Sequence, residues 1–159
     1  MEADAVRVEE AVAVSGELVA GVAKLVGQLS SSARAPTAAA LEEIVSSPAS
    51  RLLIARDSAG GVIGMLTLVV FPIPTGMRAW IEDVVVEQDA RGKGVGALLT
   101  LEALRLAGTH GARTVDLTSR PGREAANRLY ARLGFERRDT NVYRHRQAIA
   151  PSEADDSGE

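Results

Sequence analysis

The fold of this chain is decided by a glycine-rich stretch, Arg91-Gly92-Lys93-Gly94-Val95-Gly96. The run before it, residues 80–86, is rich in β-branched side chains and predicts a strand. The run after it, residues 97–106, consists mostly of strong helix formers. A glycine loop between a strand and a helix brings backbone N–H groups and the positive end of the helix dipole close to a phosphate. Arg91 and Lys93 add positive charge there, so the stretch predicts a site for a pyrophosphate-bearing cofactor.

The composition is that of one globular domain. The chain has 159 residues, of which 46% are hydrophobic and 25% charged. A chain of this size and composition can form a hydrophobic core without disulfides or structural metals. It contains no cysteine, which excludes disulfides, cysteine–zinc sites and cysteine nucleophiles. The apolar runs are too short to span a bilayer, and the first residues do not have the pattern of a signal peptide. We therefore expect a cytoplasmic protein without a membrane partner.

Negative charge is concentrated at the C-terminus. Removing Glu153, Asp155, Asp156 and Glu159 takes the formal net charge from −3 to +1. The rest of the chain is therefore near neutral, which argues against a general nucleic-acid-binding protein. We expect a folded domain over residues 1–147 and an acidic, disordered tail over residues 148–159.

The spacing of apolar residues predicts an α+β fold. Helices are expected at residues 16–29, 38–45, 97 to 108 or 111, and 123–133. Strands are expected at residues 6–8, 51–56, 62–71, 79–86 and 114–118, followed by a hairpin within 135–146. The strands of residues 51–86 would form an antiparallel meander, and the strand at 114–118 would complete a parallel βαβ unit. The result is a mixed six- to seven-stranded sheet flanked by about four helices.

Single residues mark several of the predicted ends. Ser15 and Thr37 are candidates for the N-caps of the first two helices. Pro72 and Pro74 are expected to end the strand at 62–71 and to leave a loop up to Met77.

The glycine-rich stretch matches the Arg/Gln-x-x-Gly-x-Gly/Ala signature of the GCN5-related N-acetyltransferases, the GNAT family. Two further features resemble that family: the strand at residues 81–86 stands at the family's spacing, and residues 129–135 resemble its tyrosine–glycine–phenylalanine segment. The resemblance covers residues 62–144. It implies the GNAT fold over residues 1–147, acetyl-CoA as cofactor and a primary amine as acceptor. His110 and His145 have no partner at ligand spacing, so no metal is expected.

The resemblance also implies how the cofactor is held. Its pyrophosphate would lie on the backbone amides of Arg91, Gly92, Lys93, Gly94, Val95 and Gly96. Its pantetheine arm would run beside the preceding strand and pair with the backbone of Val84, Val85 and Val86. An amide of this strand would also polarise the thioester carbonyl.

Three positions of the last predicted helix share one face, namely Arg123, Asn127 and Tyr130. The resemblance implies that Tyr130 protonates the departing CoA thiolate, and the alternative is a packed aromatic side chain. Many relatives carry an asparagine seven positions before the tyrosine, where this chain has Arg123. Arg123 and Asn127 are therefore candidates for polar contacts with the cofactor.

The acceptor amine must lose a proton before it attacks, because an ammonium with a pKa near ~10 is no nucleophile. Glu82 is the candidate base, directly or through a water. The period of two places it on one strand face with Trp80, Val84 and Val86. The alternative is that Glu82 or Asp83 pairs with an arginine, since a carboxylate inside a strand needs a partner.

The predicted function is transfer of an acetyl group from acetyl-CoA to an amine, by direct attack in a ternary complex. A small-molecule amine is favoured, because the sequence shows no strongly acidic groove for a lysine-rich peptide. Two alternatives stay open, a protein lysine or N-terminal acetyltransferase and a non-catalytic acyl-CoA-binding regulatory module. A homodimer through the segment around Tyr143 is a further expectation.

A dinucleotide-binding fold is the alternative interpretation of the glycine-rich stretch. Residues 92–97 also fit Gly-x-Gly-x-x-Ala, and Asp116 follows at about the expected distance of ~20 residues. Too little chain remains after Asp116 for the further βα units of that fold, and the segment around Tyr130 would have no role in it.

Overall fold

The computed structural model describes residues 5–149 and places them in one mixed sheet between two helical layers. Its strands are β1 (Arg7–Glu10), β2 (Ser50–Arg56), β3 (Val62–Ile73), β4 (Gly76–Val86) and β5 (Val115–Asp116). Its helices are α1 (Gly16–Leu29), α2 (Ala38–Ser46), α3 (Val95–Thr109) and α4 (Glu124–Arg132). The strand order is β1-β2-β3-β4-β5, antiparallel up to β4 and parallel between β4 and β5. The predicted α+β class, with a meander followed by a parallel βαβ unit, is confirmed.

The first two helices begin at the residues expected to cap them. The Leu18 N–H donates to Ser15 Oγ at 3.1 Å, and the Ala40 N–H donates to Thr37 Oγ1 at 3.1 Å. Each side chain thereby satisfies one of the N–H groups that a helix leaves unpaired at its start. The caps fix where α1 and α2 begin, and with them the layer that covers one face of the sheet.

The sheet separates two hydrophobic clusters. On one face, α3 packs its buried residues Val95, Leu99 and Ala103 against β2–β4. On the other face, α1 and α2 contribute Leu18, Val22, Leu25 and Leu41. Alternating strand residues serve the two sides, because successive side chains of a strand point to opposite faces.

The hairpin between β3 and β4 is longer than the sequence indicated. Pro72 still pairs with Met77, and Ile73 pairs with Gly76, so the predicted loop up to Met77 is wrong. Pro72 is exposed near the end of the hairpin, a position where the missing N–H of proline is tolerated.

The C-terminal part of the sheet is smaller than predicted. β5 contains only Val115 and Asp116, and within residues 135–149 no strand is formed. A two-residue edge offers few backbone groups to a further strand, which accounts for the missing hairpin. The described residues therefore form five strands rather than six or seven. Of the predicted acidic tail, residues 150–159 lie outside the described part of the chain.

Two neighbouring leucines of α3 test the assignment of its buried face. Leu99 is fully buried, whereas Leu98 is 41% exposed. We expect Leu99→Ala to lower the free energy of unfolding by about 3 kcal/mol, because it removes buried methyl groups and leaves a cavity. Leu98→Ala should change it by less than about 1 kcal/mol. Urea denaturation followed by circular dichroism measures both, and equal losses would contradict the orientation of α3.

Candidate active site

A β-bulge interrupts β4 in its second half. Met65 pairs with Val85 while Thr67 pairs with Glu82, so β4 has one residue more than β3 between these pairs. Asp83 lies at the shift with φ of 51°, and it is the one non-glycine residue of the described chain with a positive φ. Aspartate tolerates this left-handed region better than most side chains. A bulge bends the strand and increases its local twist.

The bulge also changes which side chains of β4 share a face. Ile81 packs in the cluster under α3, and so do Val84 and Val86. In a regular strand, the side chain at the odd position 81 would point to the face opposite to those at the even positions 84 and 86. Val85 lies in the opposite cluster, under α1 and α2. The expectation that Glu82 shares a face with Val84 and Val86 is therefore wrong, because the extra residue reverses the alternation.

One edge of β4 is open beyond the bulge. Pairing between β4 and β5 consists of Ala79 with Val115 and Trp80 with Asp116, and it ends there. From residue 81 onward, the backbone of β4 on this side has no strand partner within the described chain. An extended ligand can pair with such an edge in the manner of an added strand. The predicted role of residues 84–86 is compatible with this geometry.

A small cavity of about 160 Å³ lies beside this open edge. It brings together Glu82, Asp83, Arg123 and Tyr130, with Leu29 from the end of α1 at its rim. The two residues predicted to be catalytic, Glu82 and Tyr130, thus line the same cavity although they lie far apart in the sequence.

Tyr130 is both a packed aromatic residue and a cavity-lining phenol. It is 7% exposed, and its ring meets Phe135 edge-on with the centroids 5.6 Å apart. Burial raises the pKa of Tyr130, and the positive charge of Arg123 offsets this only in part. The phenol therefore keeps its proton at neutral pH, the state that a proton donor needs.

Glu82 is exposed and has a different partner from the one considered in the sequence. The indole N–H of Trp80 donates to Glu82 Oε1 at 2.7 Å. Across the described residues, neither Glu82 nor Asp83 forms an ion pair with a lysine or arginine. The arginine-pairing alternative is therefore not what the geometry favours.

The glycine loop has a backbone conformation that relies on its glycines. Gly92 and Gly94 have φ of 77° and 81°, which side chains other than glycine rarely adopt. Gly94 is the N-cap of α3 and supplies no capping side chain. Within the described chain, no backbone carbonyl accepts a hydrogen bond from the amides of Gly92, Lys93 or Gly94. Free amides at a helix N-terminus suit an anion.

Two neighbours of these amides have packing roles. A Cβ on Gly96 would lie 3.3 Å from Leu129 Cδ2, so glycine lets α3 approach α4 closely. Arg91 Nε donates to the Val86 carbonyl at 3.2 Å, which ties the loop to the end of β4. Sequence reasoning assigned both residues to the cofactor and did not find these contacts.

Asn127 is occupied by the loop before α4. Its Nδ2 donates to the carbonyl of Arg120 at 3.0 Å and to that of Pro121 at 3.4 Å. This fixes the entry into α4, on which Tyr130 lies. The structure does not bring Asn127 into the cavity lined by Arg123 and Tyr130, and its contact with a cofactor stays a prediction.

Ser119 is a candidate that sequence reasoning missed. Its Oγ is buried and has no hydrogen-bond partner among the described residues. Thr118, its neighbour, lines the cavity. A buried hydroxyl without a partner calls for a ligand or water to complete it. No motif marks Ser119 in the sequence, so only the structure could reveal it.

The C-terminal half of α1 is anchored next to the glycine loop. The Gln88 N–H donates to Gln28 Oε1 at 3.0 Å, and Lys24 Nζ lies 3.4 Å from Glu87 Oε1. Burial of the Glu87 carboxyl opposes its ionisation, but the hydrogen bond from the Asp89 N–H and the charge of Lys24 leave its pKa below the ordinary value. These contacts link the helix that borders the cavity to the segment that begins the loop.

The part of the chain that is described shows no membrane-crossing helix and no metal cluster. None of its helices is long and apolar enough to span a bilayer. Within residues 5–149, no three histidine or carboxylate side chains are grouped so as to hold a metal ion.

A model of the Acetyltransferase (GNAT) family matches residues 24–135 of this sequence. This match covers most of the chain, including the C-terminal part of α1, the bulged strand β4, the glycine loop and Tyr130. The chain therefore belongs to the GNAT acetyltransferase family.

Individual relatives agree with this assignment. Over 86 residues the chain is 34% identical to the L-methionine sulfoximine/L-methionine sulfone acetyltransferases of Pseudomonas paraeruginosa and Pseudomonas aeruginosa, which covers 54% of this chain and 50% of theirs. The chain thus spans about half the length of the curated relatives it matches.

Two solved structures illustrate the likeness in fold. A transcriptional regulator from Bacillus halodurans is 28% identical, with a TM-score of 0.75 over 89% of this chain and 99% of that one. An aminoglycoside N-acetyltransferase in complex with CoA has a TM-score of 0.76 over 92% of this chain and 98% of that one. At 17% identity, the second likeness shows the fold alone.

The buried phenol predicts a measurable titration. The chain has two tyrosines, so in the Tyr143→Phe variant all phenolate absorbance comes from Tyr130. We expect this absorbance to rise only above the ordinary pKa of ~10, because burial favours the neutral phenol.

The same proton contributes to stability. Above pH ~10 the unfolded phenol loses a proton that the folded chain retains, so the free energy of unfolding should fall as pH rises through that range. Tyr130→Phe should remove this part of the alkaline fall. A titration midpoint for Tyr130 at or below pH ~10 would contradict its burial.

Proposed function

We propose that this protein transfers the acetyl group of acetyl-CoA to the primary amine of a small molecule, by direct attack in a ternary complex. The observation that carries the proposal is the shared cavity of Glu82 and Tyr130 at the open edge of β4. One carboxylate and one protonated phenol in a single site suit a reaction that must remove a proton from the amine and supply one to the leaving thiolate. Membership of the GNAT family supports the same reaction.

Acetyl-CoA supplies an activated acetyl group, and the chain's backbone has donors suited to hold it. The unpaired amides of Gly92, Lys93 and Gly94 would bind the pyrophosphate at the start of α3. The free edge of β4 at residues 84–86 would pair with the extended arm. The hydroxyl of Ser119, which has no hydrogen-bond partner among the described residues, is a further candidate donor or acceptor, next in sequence to the cavity-lining Thr118.

Glu82 and Tyr130 would manage the two protons. Glu82 takes a proton from the acceptor's ammonium, directly or through a water, so that the nitrogen has a free lone pair. Tyr130 donates to the sulfur as the carbon–sulfur bond breaks, and the phenolate regains a proton from the attacking nitrogen, which loses its second proton as the amide forms. Since the free pKa of a phenol is near ~10 and that of a thiol near ~8.5, this donation depends on a close, oriented hydrogen bond. The burial of its ring and the contact with Phe135 restrict the orientation of the phenol, which supports this role.

The size and charge of the cavity favour a small acceptor. Its volume is about 160 Å³, which suits the amine end of a small molecule. Glu82 and Asp83 attract an ammonium group, and Arg123 can bind an anionic group of the same molecule. The Pseudomonas relatives act on methionine sulfoximine and methionine sulfone, which supports a compact amine as acceptor. Acetylation of a protein lysine or N-terminus is the less favoured alternative.

A non-catalytic acyl-CoA-binding module is the second candidate. The solved structure at 28% identity is described as a transcriptional regulator. Such a module would bind acetyl-CoA on the same loop without turning it over. Measuring both binding and thiol release separates the two functions.

The enzymatic proposal predicts release of free CoA in the presence of a suitable amine. The experiment uses a panel of amines: methionine sulfone, glucosamine 6-phosphate, an aminoglycoside and a lysine-containing peptide. We expect turnover with a small amine, and we expect Tyr130→Phe to lower kcat by about 10²-fold at unchanged KM for acetyl-CoA. Tyr143→Phe is the matched control, because Tyr143 is 88% exposed. Acetyl-CoA binding without turnover of any amine would favour the regulatory module, and turnover of the peptide alone would favour a protein acceptor.

The glycine loop can be tested by binding alone. An alanine at position 94 would have to adopt φ of 81°, at a cost of about 1–2 kcal/mol. We expect Gly94→Ala to weaken acetyl-CoA binding about tenfold, because the loop amides move to relieve the strain. Gly108→Ala, in the last turn of α3 where an added Cβ meets nothing within 4 Å, should leave the affinity unchanged. Titration calorimetry measures both, and an unaffected Gly94→Ala variant would place the pyrophosphate elsewhere.

A further inference from the structure

Trp80 is the chain's sole tryptophan and lies two residues before Glu82 in β4. Both residues precede the bulge, so their side chains project from the same face of the strand. The indole Nε1–H donates to Glu82 Oε1 at 2.7 Å. A hydrogen bond to an ionised carboxylate is short and stronger than one between neutral groups.

The two partners differ in how firmly they are held. Trp80 is half-buried, and its strand segment pairs on both sides, with Val69 of β3 and with Asp116 of β5. Glu82 is exposed, and beyond it the β5 side of the strand is open. The flexible member of the pair is therefore the carboxylate, and the indole is the fixed point to which it is attached.

We propose that Trp80 is a positioning residue for Glu82: its indole N–H holds Oε1 and leaves Oε2 as the oxygen that meets the acceptor. This inference rests on the proposed role of Glu82 as the base. Within residues 5–149, Asp83, the other carboxylate of the cavity, accepts no such hydrogen bond, and it is the bulge residue with the positive φ. The indole thus selects which of two adjacent carboxylates is oriented.

The hydrogen bond can be tested without any acceptor. In protein labelled with ¹⁵N, the single indole N–H signal in a proton–nitrogen correlation spectrum belongs to Trp80. We expect Glu82→Gln to move the indole proton upfield, because a neutral amide oxygen is a weaker acceptor than a carboxylate. Asp83→Asn is the matched control, because it removes one negative charge just as Glu82→Gln does. Asparagine also tolerates the positive φ of this position. The proposal would be overturned if the indole signal did not shift in Glu82→Gln, or if it shifted equally far in Asp83→Asn.

The positioning role is tested by a double-mutant cycle with the best amine of the panel. Trp80→Phe keeps an aromatic ring and removes the N–H. We expect it to lower kcat about tenfold at unchanged KM for acetyl-CoA. In the Glu82→Gln background, Trp80→Phe should cause no further loss, because the group that it positions is already gone.

The outcomes separate this inference from the function on which it rests. Losses that multiply in the double variant of an active enzyme would show that Trp80 acts independently of Glu82, and would overturn the inference alone. A wild-type protein that turns over none of the amines would overturn the proposed function and this inference with it.

Discussion

The arrangement of the site depends on one irregularity of the backbone, the extra residue that β4 accommodates at Asp83. In the described part of the chain, β4 pairs with β5 only at Ala79 and Trp80, and from residue 81 onward its edge towards β5 is free. The bulge lies within this free stretch, where it bends the strand and increases its local twist. A β5 strand that continued past Asp116 would have satisfied the backbone groups of this edge internally. The shape of the open edge therefore depends on the residue with the positive φ.

The same irregularity keeps both hydrophobic clusters intact. Because the alternation of β4 is reversed, Val84 and Val86 reinforce the cluster under α3 while Val85 closes the cluster under α1 and α2. Glu82 stays outside both clusters, where its charge remains hydrated. Glu82, which lines the cavity, and Val84, which packs in the core, are therefore separated only by Asp83, the residue with the positive φ.

Local signals in the sequence were sufficient for most of the fold. Ser15 and Thr37 cap helices that begin where expected, and the glycines at 92 and 94 have the positive φ that a phosphate loop requires. Glu82 and Tyr130 were placed in one site by resemblance, and they line one cavity.

Signals that depend on neighbours in space were not readable. An aspartate at position 83 does not by itself predict a bulge. The period of two was therefore extended beyond this residue, and it assigned residues 84 and 86 to the wrong face of β4. A hairpin was predicted within residues 135–146, but the local sequence does not show whether a sheet edge is long enough to receive it. The partner of Glu82 and the orphaned hydroxyl of Ser119 likewise follow from the packing of the whole chain.

The contacts of Gln28 and Lys24 give α1 a share in both halves of the site. The last residue of this helix borders the cavity, and the residues before it hold the segment that leads into the free amides. A rigid shift of α1 would move the border of the cavity and the segment before the glycine loop together. One helix is thus a common support for two regions that the sequence places far apart.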